Sequence, residues 1–426
     1  MNLADLDPVG LAERFGTPFY VYDLDVIERR VTGLRAALPP VFDIAFALKA
    51  NPALAVVAHL AGLGIGADVA SGGELETAVR AGIDPERIVF TGPGKLDTEL
   101  RRAVQLGIHA VTVESLGELE RLERIADGLG RRARILLRAA VGSEGEQADG
   151  SERVRIIGDG GAGKFGMDPG DLADAAHRAG HSASIELLGL HAFGASNVLD
   201  AGAILDHIRA TVAAAREMAQ VAGVGLRLVD VGGGLGIPYG SCDTALDLVE
   251  LGAGLRAFAA AWADDAVLRS MRVLLEPGRF LTGPAGVFVA RVVDRKSVAG
   301  SEVAVLDGGI NHVLRPALVR QEHRLRILDR AGQPREVDHD GPPVSIVGPL
   351  CTGLDVFAAA ARLPVPEPGD LVAILDVGAY GFTESMPLFL SHPTPAEVAV
   401  RAGRAALIRP RIAPETWLAG QLVPVW

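Results

Sequence analysis

In the stretch FALKANPAL, residues 46 to 54, Lys49 follows an apolar run and directly precedes Ala-Asn-Pro. Lysine is scarce in the sequence, which otherwise has only Lys95, Lys164 and Lys296 and uses arginine for its other basic residues. At the carboxyl end of a buried strand, an amine lies in a medium of low polarity, where its pKa can fall and it can become a nucleophile. Position alone leaves open a structural lysine paired with a carboxylate.

A glycine-rich loop follows another apolar run in LVDVGGGLGIPY, residues 228 to 239. Successive glycines expose backbone N–H groups that can surround a phosphate. The loop is not a Walker motif, because no Gly-Lys-Ser/Thr follows. It is also a poor dinucleotide fingerprint, because Pro238 interrupts the expected helix. A tight turn without a ligand is the alternative interpretation.

Other strand-like runs are followed by residues that could take part in binding or catalysis. In LLEPGRFLTGPAG, Glu276 follows a strand, Gly278 allows close approach, and Arg279 can meet an anion; a simple turn with a surface arginine is the alternative. SIVGPLCTGLD places Cys351 in a glycine-bounded loop, although a lone cysteine is more often a small buried residue. ILDVGAYGF places Tyr380 after a turn, where a core tyrosine is the plainer interpretation.

Taken together, these residues suit one ligand. Pyridoxal 5′-phosphate needs an amine for its aldehyde, N–H donors for its phosphate and an acid for its ring nitrogen. Lys49, the glycine loop and Glu276 offer those three groups. We predict no metal site.

The elements that must position these residues alternate between short apolar runs and amphipathic segments from about residue 40 to 275. Such alternation predicts βαβ units and a parallel sheet, and about eight units in this length favour a (β/α)8 barrel. A doubly wound open sheet is the competing fold. After about residue 276 strand-like runs dominate, although DVFAAAARL suggests a short helix. We predict an α/β protein with a barrel at 26–275 and a mainly β domain from 1–25 and 276–426.

Composition narrows the class of protein. The 426 residues carry a net charge of −12, which argues against a nucleic-acid partner because phosphate binding needs clustered cations. The two cysteines imply no disulfide framework, and a cytoplasmic setting is expected. No apolar run approaches the ~20 residues of a membrane span, and no signal peptide is evident.

With these motifs in order, the sequence strongly resembles the fold-type III pyridoxal-phosphate decarboxylases, which include diaminopimelate and ornithine decarboxylases. The resemblance covers nearly the whole chain. The matching stretches are PFYVYDLDVI, FALKANP, GADVASGGEL, GPGK, KFGM, GLHAFGAS, VDVGGGLG, EPGRFL, DGGINHVLRPAL, GPLCTGLD and GDLVAILDVGAYG. The resemblance implies an alanine-racemase-like barrel with a β domain, acting as a homodimer with shared active sites.

The resemblance also implies roles for individual residues. Lys49 matches the lysine that joins the cofactor aldehyde, Glu276 the carboxylate at the pyridine nitrogen, and Cys351 a general acid supplied across the dimer interface. The remaining cofactor-side positions are Asp68, Arg138, His191, Phe193, Ser196, Gly233, Gly234, Gly278, Arg279 and Tyr380. The predicted substrate-side positions are Arg315, Thr352 and Asp355.

Departures from the family pattern bear on the substrate. Phe193 stands where familiar members stack a histidine on the ring, Thr352 replaces a carboxylate after the cysteine, and Val319 replaces a tyrosine after Arg-Pro-Ala-Leu. These changes argue against a free diamino acid as substrate. The stretches GPLCT, GAYGF and FLSHPTPAEV and the aromatic residue in GLHAFGAS are similar to natural-product decarboxylases, some of which act on an aminoacyl thioester of an acyl carrier protein, such as a glutamyl or aspartyl group.

Several alternatives stay open. One is decarboxylation of a free amino acid such as diaminopimelate, ornithine or lysine; others are an amino-acid racemase and a non-catalytic homologue. An acyl carrier protein is acidic, so the negative net charge requires a local basic patch, for which Arg315, Arg320 and Arg324 are the candidates.

Overall fold

The computed structural model describes residues 6–140, 164–225, 227–240, 242–265, 267–338 and 340–426. Its strands are β1 Phe19–Asp23, β2 Phe42–Ala47, β3 Gly66–Val69, β4 Ile88–Phe90, β5 Ala110–Val113, β6 Ala133–Arg138, β7 Ile185–His191, β8 Leu228–Asp230, β9 Arg272–Leu275, β10 Gly286–Val298, β11 Ser301–Leu306, β12 Leu325–Leu328, β13 Val344–Val347, β14 Val356–Ala361, β15 Leu371–Leu375, β16 Ala396–Arg401 and β17 Arg404–Arg409.

The helices connect and follow these strands along the chain. They are α1 Pro8–Phe15, α2 Leu24–Ala37, α3 Leu54–Gly62, α4 Gly72–Arg80, α5 Asp97–Leu106, α6 Leu116–Gly128, α7 Pro169–His181, α8 Ala201–Ala222, α9 Leu248–Ala263, α10 Arg279–Thr282, α11 Arg315–Val319 and α12 Pro414–Leu418. No helix in the described part of the chain has both the length and the apolar character needed to cross a membrane.

Strands β2 to β9 form a closed barrel in which each strand pairs in parallel with the next and β9 pairs with β2. The predicted (β/α)8 barrel is therefore confirmed. Its interior is filled by small and branched side chains, namely Ala45, Val89, Ala110, Leu136, Leu188, Leu228 and Leu274. The barrel is thus a packed core, and its strand ends are free to carry the chemistry.

Two of the barrel helices begin with the same local motif directly after a strand. The Ser71 side chain accepts the Glu74 N–H at 3.2 Å at the start of α4, and the Ser115 side chain accepts the Glu118 N–H at 3.1 Å at the start of α6. Each glutamate reaches back to a backbone N–H just before the helix. This reciprocal capping fixes the turn between strand and helix, where site residues are placed.

The remaining strands form a mainly β sheet with the order β14-β13-β11-β10-β1-β16-β17, and β15 pairs with both β10 and β12. The run PFYVYDL supplies β1, which lies between β10 and β16. A core of Phe19, Val21, Val287, Val289, Leu371, Ala373, Ala396, Val398 and neighbouring apolar residues packs on this sheet. The predicted mainly β part of the chain is confirmed.

The prediction of a helix in DVFAAAARL is wrong. Residues Val356–Ala361 form β14, which pairs antiparallel with β13 through an irregular register. Alanine favours helices in isolation, but here the backbone hydrogen bonds offered by β13 outweigh that weak preference. The left-handed φ of 44° at Ala360 is also incompatible with a regular helix.

The chain divides into two compact units. A β-rich unit comprises Met1–Ile27, Pro238–Asp243 and Thr282–Trp426, and a barrel unit comprises Glu28–Ile237 and Thr244–Leu281. The segment 238–243 between β8 and α9 groups with the β-rich unit, a feature that the sequence pattern did not indicate. The domain limits at residues 25 and 276 stay a prediction.

The close pairing of β7 and β8 gives a test of the barrel. Gly189 pairs with Leu228, and a Cβ at Gly189 would overlap the Leu228 backbone carbonyl. We expect Gly189→Ala to destabilise the protein by about 1–3 kcal/mol, because the strands must separate to admit the methyl group. Chemical denaturation of the two proteins measures this difference.

Gly128→Ala is the matched control, since a Cβ at Gly128 near the end of α6 meets no atom within 4 Å. It is expected to leave stability unchanged or raise it by up to about 1 kcal/mol. Equal stabilities for the two variants would contradict the described pairing of β7 with β8.

Candidate active site

Polar side chains occupy the carboxyl end of every strand of the barrel. They are Lys49, Asp68, Thr91, Glu114, Arg138, His191, Asp230 and Glu276, in chain order. Carboxyl ends of parallel strands meet at one face of a barrel, where its active sites lie. A cavity of about 200 Å³ opens there and is lined by Lys49, Ala70, Thr91, Gly92, Pro93, Arg138, Phe165, His191, Phe193 and Glu276.

Lys49 lies in a 3₁₀ turn directly after β2, and its Nζ is 3.1 Å from Oδ2 of Asp68 at the end of β3. The Asp68 side chain is 1% exposed, whereas that of Lys49 is 33% exposed and faces the cavity. The pKa of Asp68 is raised on balance, because burial and the charge of Glu276 outweigh the opposing effect of the Lys49 ammonium. The carboxylate pairing and the chemical role suggested for Lys49 are therefore compatible.

Glu276, Asp230 and His191 form a buried cluster in which one side-chain nitrogen or oxygen of each lies within 4.8 Å of the others. Burial and the neighbouring Glu276 charge raise the pKa of Asp230 well above its usual value. Burial also acts to raise the pKa of Glu276, but His191, Lys49 and Asp230 outweigh it and lower that pKa to about 2. Two adjacent buried carboxyls do not both ionise easily, so a proton shared by the pair is held more tightly by Asp230 than by Glu276.

The glycine loop after β8 lies against neighbouring strand ends. A Cβ at Gly233 would overlap the Glu276 carbonyl, and a Cβ at Gly234, whose φ is +94°, would lie 2.7 Å from the Ala195 carbonyl. Next to Ala195, the Ser196 hydroxyl accepts a hydrogen bond from Arg279 Nη2 at 3.3 Å. The structure thus brings Ser196, the glycine loop and Arg279 together, as a phosphate site requires.

The backbone is also closely packed at Gly278 and beside Phe193. A Cβ at Gly278 would lie 2.8 Å from the Ala50 Cβ, one residue after Lys49. A Cβ at Gly232 would lie 2.8 Å from the Phe193 ring, which lines the cavity. Phe193 therefore presents an apolar face to the cavity beside the carboxylate of Glu276 and the amine of Lys49.

The other predicted positions lie in the β-rich unit. Cys351 is exposed in the loop after β13, and the neighbouring Thr352 hydroxyl accepts the Leu354 N–H at 3.3 Å. Asp355 is buried, and its two oxygens accept the backbone N–H groups of Ile310 and Leu350, each at 2.8 Å. This geometry favours a structural role for Asp355, which fixes the loop that carries Cys351, over the predicted contact with substrate.

Arg315 and Tyr380 contact each other within the β-rich unit. The Arg315 guanidinium lies 4.5 Å from the centre of the Tyr380 ring, and its Nε is 2.9 Å from Oε2 of Glu384. Arg315 is buried, so the predicted basic patch of Arg315, Arg320 and Arg324 is wrong for Arg315. Arg324 is paired with Asp376 at 2.7 Å, which also weakens such a patch.

Three acidic residues escaped the sequence analysis. Glu114 directly follows β5, Asp230 is the last residue of β8, and Glu74 lies at the start of α4. Two of them had a sequence signal, since Asp230 lies two residues before the first glycine of the loop and Glu74 closes a Ser-x-x-Glu cap. Glu114 had only its position directly after an apolar run.

The arrangement fits pyridoxal phosphate on structural grounds. The glycine loop is packed so closely that side chains are excluded, and the Lys49 amine reaches the cavity. The Glu276 Oε1 atom is buried and has no hydrogen-bond partner among the residues that the structure describes. These features match a phosphate, a protonated ring nitrogen and an aldehyde. His191, Asp230 and Glu276 are also a type of set that can ligate a divalent cation.

Comparison with known proteins identifies the class. Residues 24–283 match the family model for the pyridoxal-dependent decarboxylase, pyridoxal binding domain. The L-glutamyl-(BtrI acyl-carrier protein) decarboxylase of Niallia circulans is 34% identical over 99% of this chain and 97% of that protein. The diaminopimelate decarboxylase of Zymomonas mobilis is 32% identical over 94% of this chain and 91% of that protein.

A solved structure agrees with this assignment. Diaminopimelate decarboxylase from Helicobacter pylori, complexed with L-lysine, superposes with a TM-score of 0.84 at 32% identity, covering 96% of this chain and 98% of that one. The chain belongs to the fold-type III pyridoxal-phosphate-dependent decarboxylases. It is a carbon–carbon lyase whose cofactor is pyridoxal phosphate.

Glu74, which lies near the site, is predicted to make the stability of the protein depend on pH. Burial raises the pKa of Glu74 to about 7, with the Asp68 charge acting in the same direction and the Ala70 N–H opposing it. The folded state therefore binds a proton more tightly than the unfolded state, and stability from this group falls as pH rises from about 4.5 to about 7. Glu74→Gln should remove this loss.

We expect Glu74→Gln to be more stable than the wild type at pH 8, by about 2 kcal/mol, and to lose that advantage at pH 5. Denaturant unfolding at both pH values provides the measurement. Glu76→Gln, at an exposed residue paired with Arg102, is the control and should show no gain at pH 8. A pH-independent effect of Glu74→Gln would refute the interpretation.

Proposed function

We propose that this decarboxylase removes the α-carboxylate of an acidic aminoacyl group, glutamyl or aspartyl, held as a thioester on an acyl carrier protein in natural-product biosynthesis. The observation that carries the proposal is the similarity to the Niallia circulans enzyme, whose name states such a substrate, along essentially the entire chain. Phe193, Thr352 and Val319, which depart from the pattern of enzymes for free diamino acids, support it.

The pairing of Arg315 with Glu384 supports the same proposal. A free substrate carboxylate is normally bound by an arginine with open N–H groups. Here Glu384 lies against the Arg315 guanidinium, with Nε–Oε2 at 2.9 Å and Nη2–Oε1 at 3.2 Å. A substrate carboxylate at Arg315 would compete with Glu384 for the guanidinium, whereas an uncharged thioester would not.

In the proposed mechanism, bound pyridoxal phosphate supplies the ring system that accepts the electron pair left on Cα when carbon dioxide departs. Lys49 would bind the cofactor aldehyde until the substrate amine takes its place, and Asp68 would balance the charge of the lysine amine. Glu276, whose pKa is lowered by His191, Lys49 and Asp230, would hold a proton at the ring nitrogen. The Cys351 thiol would supply the proton that Cα takes up after carbon dioxide leaves.

The other predicted residues have binding roles in this proposal. The phosphate would be held by backbone N–H groups of Gly233, Gly234 and Gly278 and by the side chains of Ser196, Arg279 and Tyr380. Phe193 would offer an apolar surface to the ring, and His191 and Arg138 also line the cavity. A homodimer with shared active sites, which would deliver Cys351, and a cytoplasmic location are part of the proposal.

Decarboxylation of free diaminopimelate is the second candidate. Curated diaminopimelate decarboxylases match this chain with identities of 32–33% over more than nine-tenths of its length. The solved structure from Helicobacter pylori contains L-lysine, which is a free amino acid. These similarities make the comparison of the two substrate classes the decisive test.

We expect carbon dioxide release from glutamyl- or aspartyl-loaded carrier protein at a kcat/KM at least about a hundredfold above that for free diaminopimelate, ornithine, lysine or glutamate. Mass spectrometry of the carrier measures the loss of carbon dioxide from the tethered group. Free glutamate with unloaded carrier is the control for tethering. Turnover of free diaminopimelate alone would refute the carrier-linked proposal and support the second candidate.

A further inference from the structure

We propose that Glu114 is a positioning residue, which fixes the position of the Arg138 guanidinium at the cavity and balances its charge. Glu114 follows β5 and does not line the cavity itself. Its side chain is 3% exposed, and that of Arg138 is 7% exposed. The inference rests on the proposed cofactor-side role of Arg138 and adds to it a residue that no sequence motif assigned.

The first support is the hydrogen bonding of the Glu114 carboxylate. Its Oε1 accepts from Arg138 Nη1 at 2.8 Å and from the Gly92 N–H at 3.0 Å, and its Oε2 accepts from the Gly166 N–H at 3.2 Å. Gly92 and Arg138 line the cavity, and Gly166 directly follows Phe165, which also lines it. One buried carboxylate therefore ties together three segments of the cavity wall.

The second support is the position of the Arg138 guanidinium. It lies 4.6 Å from the centre of the Phe165 ring, while Nη1 is held by Glu114. A planar guanidinium fixed by a carboxylate and an aromatic ring has little freedom to turn. Because both side chains are buried, loss of the Glu114 charge would remove the ion-pair partner that Arg138 has among the described residues, and the guanidinium would shift toward other anions or solvent.

The third support is a hydrogen-bond network in which Lys95 and Glu118 fix the backbone of Gly92 and Glu114. Lys95 is buried, and its Nζ donates to the Gly92 carbonyl and to Glu118 Oε1, each at 2.7 Å. Glu118 Oε2 in turn accepts the Glu114 backbone N–H at 2.9 Å. Gly92 is thus fixed through both its N–H and its carbonyl, at a φ of +130° that L residues rarely adopt.

This network offers a matched pair of variants. Glu114→Gln removes the charge beside Arg138 while keeping the side-chain size. Glu118→Gln removes the charge beside Lys95, and its side-chain carbonyl oxygen can still accept the Glu114 N–H, so Glu114 keeps its place. Both variants break a buried ion pair and are expected to lower the melting temperature. Only Glu114→Gln changes a residue that acts through Arg138.

The experiment measures the dissociation constant of pyridoxal phosphate from the full chain, by visible absorbance titration of protein freed of cofactor. We expect Glu114→Gln to weaken cofactor binding about tenfold and Glu118→Gln to change it less than about twofold. Glu114→Asp, which keeps the charge on a shorter side chain, should fall between the wild type and Glu114→Gln. Circular dichroism of each variant establishes that it is folded.

A double-mutant cycle with Arg138→Gln separates positioning from a general structural effect. If Glu114 acts through Arg138, Glu114→Gln should cause less than about a twofold further change in cofactor affinity in the Arg138→Gln background. An equal loss of affinity in both backgrounds, or equal effects of Glu114→Gln and Glu118→Gln, would overturn the proposal.

Failure here is distinguishable from failure of the proposed substrate. Cofactor affinity is measured without any substrate, so it tests Glu114 even if the carrier-linked aminoacyl group is not turned over. Conversely, release of carbon dioxide from the loaded carrier by the wild type would stand even if Glu114→Gln left cofactor affinity unchanged.

Discussion

The ion pair of Lys49 and Asp68 is the interaction on which the rest of the site depends. An amine that reacts with an aldehyde must be reachable from the cavity, yet a free cation in that position would be poorly solvated. The structure meets both needs by burying the Asp68 carboxylate and leaving the Lys49 side chain partly exposed, with 3.1 Å between their charged atoms. Parallel pairing of β2 with β3 sets this distance.

The barrel distributes charge around this pair through the ends of its other strands. The pKa of Glu276 is lowered, the pKa of Asp230 is raised, and Arg138 is paired with Glu114. Each charge is thus matched by a neighbour from an adjoining strand or nearby loop. Because strand register fixes which residue ends each strand, the packed interior of the barrel determines the electrostatics of its open end.

Much of the fold follows from the pattern of the sequence. Strands β2 to β9 all fall within the alternating pattern at about 40–275, because fully buried parallel strands need continuous apolar residues. The Ser-x-x-Glu pattern at residues 71–74 is a helix-start signal, and α4 begins directly after Ser71. The alanine-rich strand β14 is not predictable in this way, since its conformation depends on pairing with β13.

The site could be predicted only where a motif marks it. Lys49, Glu276 and the glycine loop follow apolar runs closely and are recognisable without a structure. Glu114 carries no such mark, because its importance arises from three hydrogen bonds to residues distant in the sequence. The burial of Arg315 against Glu384 was likewise hidden, since it depends on how the segments at 315–319 and 382–384 pack together.

The most direct test of the account is to locate the amine that holds the cofactor. Borohydride reduction of the protein with bound pyridoxal phosphate fixes the cofactor to that amine, and peptide mass spectrometry identifies the residue. The account predicts the label on Lys49, and no label on Lys95, whose amine donates to the Gly92 and Thr112 carbonyls and to Glu118. A label on Lys95, Lys164 or Lys296, or an undiminished label in Lys49→Arg, would contradict it.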